Sequence, residues 1–187
     1  MLGKDKAFLT LNGIPFITIV SAELSKVCDD VLVVIGNKEE AGFREALPRD
    51  SVLVVKDNYD FKNPVSGILT ACELAKNPYI ALIGCDMPLI RSEVIAYLYL
   101  SALEHSAAVP IWEDGRREPL CSVYNAKQFR EAARRMDRIG GCAEMLGYLE
   151  NLVLVPVSSI RRIDPQLDSL KNINSKADYD SLFPLSR

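Results

Sequence analysis

The sequence predicts one α/β domain of three layers, with helices on both faces of a mostly parallel sheet. Two observations predict it: short, β-branched apolar runs recur along the chain, and segments of helical length separate them. Strands that alternate with helices of about 10–15 residues are typical of βαβ units, whose strands run parallel. The 187 residues suit one domain, since domains of about 100–200 residues are common. We therefore predict a single domain over residues 1–187.

Six apolar runs are short enough to be buried strands. They are Val31–Ile35, Val52–Val55, Tyr79–Gly84, Ala107–Ile111, Leu120–Tyr124 and Leu152–Val157. Helices are predicted between them, at Pro15–Val27, Lys38–Leu47, Val65–Lys76, Arg91–His105 and Ala126–Met136. Ser92 precedes Glu93 in the fourth of these helices. Because serine is a preferred capping residue, we expect Ser92 to be the N-cap of that helix.

Composition excludes several classes of protein. The 22 Lys and Arg against 25 Asp and Glu give a net charge of −3, so charge gives no support to nucleic-acid binding. We find no apolar stretch of about 18 residues and no secretory signal, and therefore expect a cytoplasmic protein that does not enter a membrane. Five cysteines without a C-x-x-C pair, and one histidine, favour reduced, buried thiols over a zinc site.

Two aspartates directly follow predicted strands, and ligands of such folds bind beyond the carboxyl ends of the strands. Asp86 lies in Gly84-Cys85-Asp86-Met87-Pro88. Its carboxylate at the sheet edge is a candidate Mg²⁺ ligand, and the alternative is that it caps the helix that begins near Arg91. Asp57 follows the second strand. It can accept hydrogen bonds from a base or ribose, although aspartate is also an ordinary turn residue.

Three further segments carry candidate binding residues. Pro64 to Gly67 opens a helix, whose N-terminus attracts anions, and Gly67 would allow close approach of a ligand or tight packing on the sheet. Lys6 can neutralise a triphosphate or remain solvated. The loop from Gly115 to Glu118 contains Arg116 and Arg117, which could face an acidic second substrate or form a solvated turn.

Taken in order, these segments resemble the MobA family of molybdenum cofactor guanylyltransferases. The matching segments, which span nearly the whole chain, are Met1-Leu2-Gly3-Lys4-Asp5-Lys6, Leu11-Asn12-Gly13-Ile14-Pro15, Asp57, Pro64-Val65-Ser66-Gly67, Cys85-Asp86-Met87-Pro88, Glu118-Pro119-Leu120 and Asn172-Ile173-Asn174. The late Asn-Ile-Asn is the most selective of them. The resemblance implies a Rossmann-like nucleotidyltransferase fold.

The resemblance also implies an activity: transfer of GMP from GTP to molybdopterin, with release of pyrophosphate and with Mg²⁺ as cofactor. The resemblance assigns catalytic roles to Lys6 and Asp86, with Asp86 as the metal ligand. It assigns Lys6, Asp57, Gly67 and Asp86 to the nucleotide. Glu118, Asn172 and Asn174 are assigned to the pterin substrate. Implied partners are GTP, molybdopterin and molybdenum cofactor insertion proteins, for a monomer or homodimer. A cytidylyltransferase and a non-catalytic nucleotide- or molybdopterin-binding protein stay open as alternatives.

The sequence departs from the family pattern in two places. Ile35 stands where the family has asparagine, so we expect Asn37 to make that nucleotide contact. Family members also begin with an apolar central strand and a Leu-Ala-Gly-Gly-x-Ser-x-Arg loop, and Met1 falls where that loop ends. We therefore expect the domain over residues 1–187 to lack its first strand and phosphate loop. A start codon assigned too late and a shortened homologue are the two explanations.

Overall fold

The computed structural model describes residues 5–36, 38–48, 51–59, 63–136 and 140–183. Its strands are β1 (Thr10–Leu11), β2 (Ile14–Pro15), β3 (Val31–Ile35), β4 (Val52–Lys56), β5 (Tyr79–Ile83), β6 (Ala107–Ile111), β7 (Cys121–Asn125) and β8 (Leu152–Pro156). Its helices are α1 (Phe16–Ser25), α2 (Glu40–Ala46), α3 (Pro64–Leu74), α4 (Ser92–Ala102), α5 (Ala126–Arg134), α6 (Cys142–Leu146), α7 (Val157–Ile160) and α8 (Lys176–Ser181). The six predicted strands and five predicted helices are all present, with shifted ends.

The strands form two larger sheets and one short hairpin. β3 pairs with β4 in parallel, with Val31 opposite Val52, and α2 makes the crossover between them. The second sheet has the order β5-β7-β6-β8. β7 runs antiparallel to both of its neighbours, and β6 runs parallel to β8. No helix separates β6 from β7, and a short connection of that kind joins antiparallel strands.

Helices cover both faces of the four-stranded sheet, as the three-layer prediction requires. On one face, Val94 and Leu98 of α4 pack in a core with residues of α1 and α7. On the other face, Val65 of α3 and Phe129 of α5 pack with α6. Tyr124 on β7 is buried against Phe129, with ring centroids 5.1 Å apart, and its hydroxyl donates to the carbonyl of Pro119. The α/β class is thereby confirmed.

The predicted capping role of Ser92 is wrong. The N-cap of α4 is Arg91, which makes no side-chain capping bond. Ser92 instead is the first helical residue, and its N–H donates to Glu23 Oε2 of α1 over 3.0 Å. Burial opposes ionisation of Glu23, but hydrogen bonds from Lys26 and Ser92 outweigh it and lower the pKa of the carboxyl. A carboxylate from another helix thus accepts one of the N–H groups that have no partner within the helix at its start. Local sequence does not indicate this contact.

A cavity of about 1360 Å³ separates β3 from β5. Within the described residues, β3 pairs only with β4, and β5 pairs only with β7. Helices α1, α3 and α4 contribute to the cavity walls. Gly36, Asp57 and Gly84, which directly follow β3, β4 and β5, line it at the carboxyl ends of these strands. No helix in the described part of the chain has both the length and the apolar character needed to cross a bilayer.

Candidate functional site

Lys6, Asp86 and Asn174 meet at the carboxyl edge of β5 although they lie far apart in sequence. Lys6 Nζ is 3.2 Å from Asp86 Oδ2 and donates to Asn174 Oδ1 over 2.5 Å. The Lys6 side chain keeps 36% of its surface exposed and that of Asp86 keeps 19%. Ion pairs that water reaches contribute little to stability, so an incoming anion or cation can separate this partly exposed pair at small cost.

A tight turn directly after β5 holds Asp86 in position. The N–H of Met87 donates to the carbonyl of Gly84, and Met87 itself is buried in the core. The carbonyl of Asp86 accepts the N–H of Ile173 over 2.8 Å. The segment around Ile173 is thereby pinned against the turn, which is how Asn174 comes within reach of Lys6. Asp86 caps no helix in this arrangement, so that alternative is excluded.

Gly84 is a residue of the site that sequence reasoning missed. A Cβ atom on Gly84 would lie 2.8 Å from Asp86 Oδ1 and 3.6 Å from Cγ and Sδ of Met87. The first distance is shorter than any normal carbon–oxygen contact, so the Asp86 carboxylate occupies space that only glycine leaves free. The sequence signal was the Gly that ends the strand two residues before the aspartate, but its role depends on the side-chain geometry.

Asp5 and Lys38 form an ion pair that connects the turn at Lys6 to the segment after β3. Asp5 caps the 3₁₀ turn at Lys6–Phe8 by accepting the N–H of Ala7. Its other oxygen lies 2.7 Å from Lys38 Nζ, on the segment that follows β3. Asp5 therefore fixes the turn that carries Lys6. The ammonium group of Lys38 is a second positive charge at this edge, and Lys38 also lines the cavity.

Asp57 lies on the cavity wall with both carboxylate oxygens engaged. Its Oδ2 accepts from the Ser66 hydroxyl over 2.5 Å and its Oδ1 accepts from Thr70 over 2.8 Å. The N–H of Tyr59 also donates to Oδ1. These bonds tie the end of β4 to the first turns of α3. Asp57 therefore orders the edge of the pocket, and its contact with a nucleotide stays a prediction.

Gly67 also lines the cavity, one turn into α3. Pro64 lies in the first turn of the helix, as predicted. The structure adds Asn63 as the N-cap, whose side chain accepts the N–H of Val65. A Cβ on Gly67 would meet Val34 at 3.7 Å, an ordinary contact distance. Packing on the sheet therefore does not require glycine at this position, which leaves open the predicted approach of a ligand.

Glu118 is buried and organises the loop between β6 and β7. Its Oε1 accepts from Trp112 Nε1 over 2.7 Å and from Arg116 Nη1 over 2.6 Å. The Arg116 guanidinium lies over the Trp112 ring, 4.5 Å from its centroid. Arg116 remains exposed, with 56% of its side-chain surface accessible, so its facing of an acidic second substrate stays a prediction. Within the described residues, no hydrogen bond or ion pair joins Glu118 to Lys6, Asp86 or Asn174.

Two remaining predicted residues are less informative. Asn172 is half-buried, two positions before Asn174 in the pinned segment. Asn37 lies outside the described residues, so the structure does not test it.

The donor set at Asp86 fits Mg²⁺ better than zinc. The described ranges contain no group of three His, Cys, Asp or Glu that would hold a metal by themselves. Mg²⁺ commonly binds one or two carboxylates and completes its shell with water and substrate phosphates. One partly exposed carboxylate beside an open cavity meets that requirement.

The family model that matches the chain is the MobA-like NTP transferase domain, over residues 1–152. A protein of Natronomonas pharaonis named "probable molybdenum cofactor guanylyltransferase" is 29% identical over 178 residues, which are 95% of this chain and 83% of that protein. A protein of the same name from Methanosarcina acetivorans is 29% identical, over 95% of this chain and 82% of its own.

Solved structures show the same fold. Molybdopterin-guanine dinucleotide biosynthesis protein A of Archaeoglobus fulgidus superposes with a TM-score of 0.78 at 24% identity, over 97% of this chain and 90% of that one. The 2-C-methyl-D-erythritol 4-phosphate cytidylyltransferase of Thermus thermophilus gives a TM-score of 0.62 at 19% identity, over 96% and 92%. At these identities the structural likeness establishes the fold alone.

Proposed function

The chain belongs to the family of proteins with a MobA-like NTP transferase domain, and from this premise we propose that it is a nucleotidyltransferase that joins GMP from GTP to molybdopterin. The proposal is supported by relatives named for that guanylyltransferase activity over most of their length. The observation that carries it is the contact of Lys6 with Asp86 and Asn174. Lys6 and Asp86 lie within the residues that the family model matches, and all three residues belong to segments that carry the resemblance to the MobA family.

The proposed reaction exchanges one phosphoanhydride bond for another. A phosphate oxygen of molybdopterin attacks the α-phosphorus of GTP and forms a new P–O–P bridge. The bond from the α-phosphorus to the bridging oxygen of the β-phosphate breaks, and pyrophosphate leaves with that electron pair. No covalent intermediate with the protein is needed. Catalysis then rests on positioning the two phosphates and neutralising their charge.

Each residue of the cluster has a distinct proposed role. Lys6 turns from Asp86 to the phosphates of GTP, where its ammonium acts as a point charge. Asp86, once released, is the ligand for Mg²⁺, which would supply charge neutralisation of the phosphate oxygens. Asn174 holds Lys6 at the sheet edge. Asp57 keeps α3 in place beside the nucleotide, and Gly67 leaves room for it.

The pterin substrate is proposed to bind on the side of the cluster formed by Asn172, Asn174 and the loop anchored by Glu118. The amide side chains offer hydrogen bonds to a polar heterocycle. Arg116 and Arg117 offer cations to the molybdopterin phosphate. A dinucleotide formed there would pass to molybdenum cofactor insertion proteins in the cytoplasm.

The direct test is dinucleotide synthesis by the full chain. Purified protein is incubated with α-labelled GTP, molybdopterin and Mg²⁺, and labelled dinucleotide and pyrophosphate are measured. We expect Asp86→Asn and Lys6→Gln each to lower kcat/KM on the order of 10²-fold, the usual cost of removing one electrostatic group from such a site. Replacing GTP by CTP should give little product.

A matched control is Glu150→Gln. Glu150 pairs with Arg135 on the surface and its side chain is 81% exposed, so its charge can be removed without touching the site. Full activity of Asp86→Asn would refute the metal-ligand role. Preference for CTP would favour a cytidylyltransferase, and GTP binding without any product would favour the non-catalytic alternative.

A further inference from the structure

Helix α8 is fastened to the segment of the chain that carries Lys6. The Tyr179 hydroxyl donates to the carbonyl of Thr10 over 2.8 Å. The Tyr179 ring also packs near the fully buried ring of Phe16, with 6.1 Å between the centroids. Thr10 begins β1, which follows the 3₁₀ turn at Lys6–Phe8. A hydrogen bond and a ring contact therefore join α8 to a segment that lies 169 residues away in sequence.

The start of α8 is organised by the carboxylate of Asp178. Its Oδ2 accepts the N–H of Ser175 over 2.7 Å and the N–H of Asn174 over 2.9 Å. The Ser175 hydroxyl in turn accepts the N–H of Asp178 over 3.1 Å. A capping box consists of the exchange between its first and last residues, which here are Ser175 and Asp178. The bond from Asn174 to Asp178 is an addition to that motif.

Asn174 connects this carboxylate to the charged cluster at the sheet edge. The N–H of Ile173 donates to the carbonyl of Asp86 over 2.8 Å, and the next N–H along the chain, that of Asn174, donates to Asp178. Two successive peptide groups, each planar, are thus held by different partners. The backbone that carries the Asn174 side chain is fixed in this way, and that side chain accepts from Lys6.

The charge of Asp178 suits this arrangement. The N–H and hydroxyl of Ser175 and the N–H of Asn174 lower the pKa of the Asp178 carboxyl by hydrogen bonding, and the positive charge of Lys6 adds to the effect, while burial opposes it. The group is therefore an anion at neutral pH. A carboxylate accepts shorter and stronger hydrogen bonds from N–H groups than a neutral acceptor does.

We propose that Asp178 is a positioning residue for the guanylyl transfer. It holds the backbone of Asn174, whose side chain in turn holds Lys6 at the sheet edge, where the ammonium meets the phosphates of GTP. The inference rests on the proposed function, because it assigns Asp178 to the same site. Capping of α8 does not use the bond from Asn174, so experiment can separate the two roles.

Three variants of the full chain make that separation. Asp178→Ala removes the acceptor of both N–H groups. Ser175→Ala removes the other half of the capping box but leaves the carboxylate on Asn174, so it is the matched control for the stability of the helix. Asp178→Glu restores a carboxylate, and glutamate is the usual residue at this place in a capping box.

We expect Asp178→Ala to lower kcat/KM for dinucleotide synthesis, measured per folded molecule, by about tenfold, since misplacing a catalytic group by about 1 Å can cost about 10²-fold. Ser175→Ala should keep the wild-type value, and Asp178→Glu should recover it. In an Asn174→Ala background, Asp178→Ala should have no further effect, because residues that act through one another are not additive. Equal losses for the Asp178 and Ser175 variants, or a further tenfold loss in that background, would overturn the proposal.

A measurement without substrate distinguishes failure of this proposal from failure of the proposed function. The nitrogen NMR signal of the Lys6 ammonium is recorded in the protein alone. Asp178→Ala should shift this signal, because Lys6 loses an acceptor that is held in place, and Ser175→Ala should leave it unchanged. If the signal responds in this way in a chain that makes no dinucleotide, the guanylyltransferase function fails and the positioning of Lys6 stands. A signal that Asp178→Ala leaves unchanged would overturn the positioning role whatever the activity.

Discussion

Replacing Gly84 by alanine tests whether the Asp86 carboxylate must occupy its observed position. The added Cβ would stand 2.8 Å from Asp86 Oδ1, about 0.5 Å inside the shortest usual carbon–oxygen contact of roughly 3.3 Å. The carboxylate must rotate or shift away from this methyl group. The Met87 side chain at 3.6 Å is at ordinary contact distance, so the buried core is not forced apart.

Because the added Cβ clashes with Asp86 but not with Met87, we expect Gly84→Ala to lower activity strongly and stability only slightly. Lys6 Nζ and Asp86 Oδ2 are 3.2 Å apart, and a shift or rotation of the carboxylate moves it from the position in which it meets Lys6. Misplacing a catalytic group by about 1 Å can lower rates by about 10²-fold, so a half-ångström shift or a rotamer change should lower kcat/KM by roughly 10- to 100-fold. The free energy of unfolding should fall by less than about 1 kcal/mol.

The assay is dinucleotide synthesis beside urea unfolding, with Gly141→Ala as the control. A Cβ on Gly141 meets nothing within 4 Å, so that variant carries the same chemical change without the clash. If Gly84→Ala kept the activity of the wild-type chain, Asp86 would not need its observed rotamer and the argument would be refuted. A loss of stability of several kcal/mol would mean that the turn itself had collapsed.

Three further predictions concern separate parts of the molecule. Gly67→Ala should raise stability by about 0.5–1 kcal/mol, as expected inside a helix, yet weaken GTP binding in calorimetry; unchanged affinity would make this glycine structural. Glu118→Ala should cost about 1 kcal/mol in unfolding by removing the acceptor of the partly buried Trp112 N–H and should shift Trp112 fluorescence, whereas an unaltered spectrum would contradict the anchoring role. Burial raises the pKa of the Cys72 and Cys121 thiols to about 12, so both should resist iodoacetamide at neutral pH until urea unfolds the chain, as peptide mapping would show.

Local sequence patterns predicted the strands and helices of this fold, because each pattern depends on residues that are close in sequence. The β-branched run Val31–Ile35 and the alternation of strands with helices predicted the α/β class correctly. Asp86 was found by the same reasoning, since a carboxylate after a buried strand lies at the sheet edge wherever that strand pairs. Local reasoning named Lys6 but could not distinguish it from a solvated lysine, and the family resemblance favoured its phosphate role and added Asn174.

Other features depend on groups that are distant in sequence, and only the tertiary structure decided them. The N–H of Ser92 is satisfied by Glu23 from another helix, which is why the predicted cap failed. The place of β7 between β5 and β6 depends on its pairing with β5, a strand distant in sequence. Lys6 meets Asn174 because the backbone of Ile173 binds the turn at Asp86. Sequence by itself determined which residues carry charge at the sheet edge, and packing determined which of them touch, because contact distances depend on how all the elements pack together.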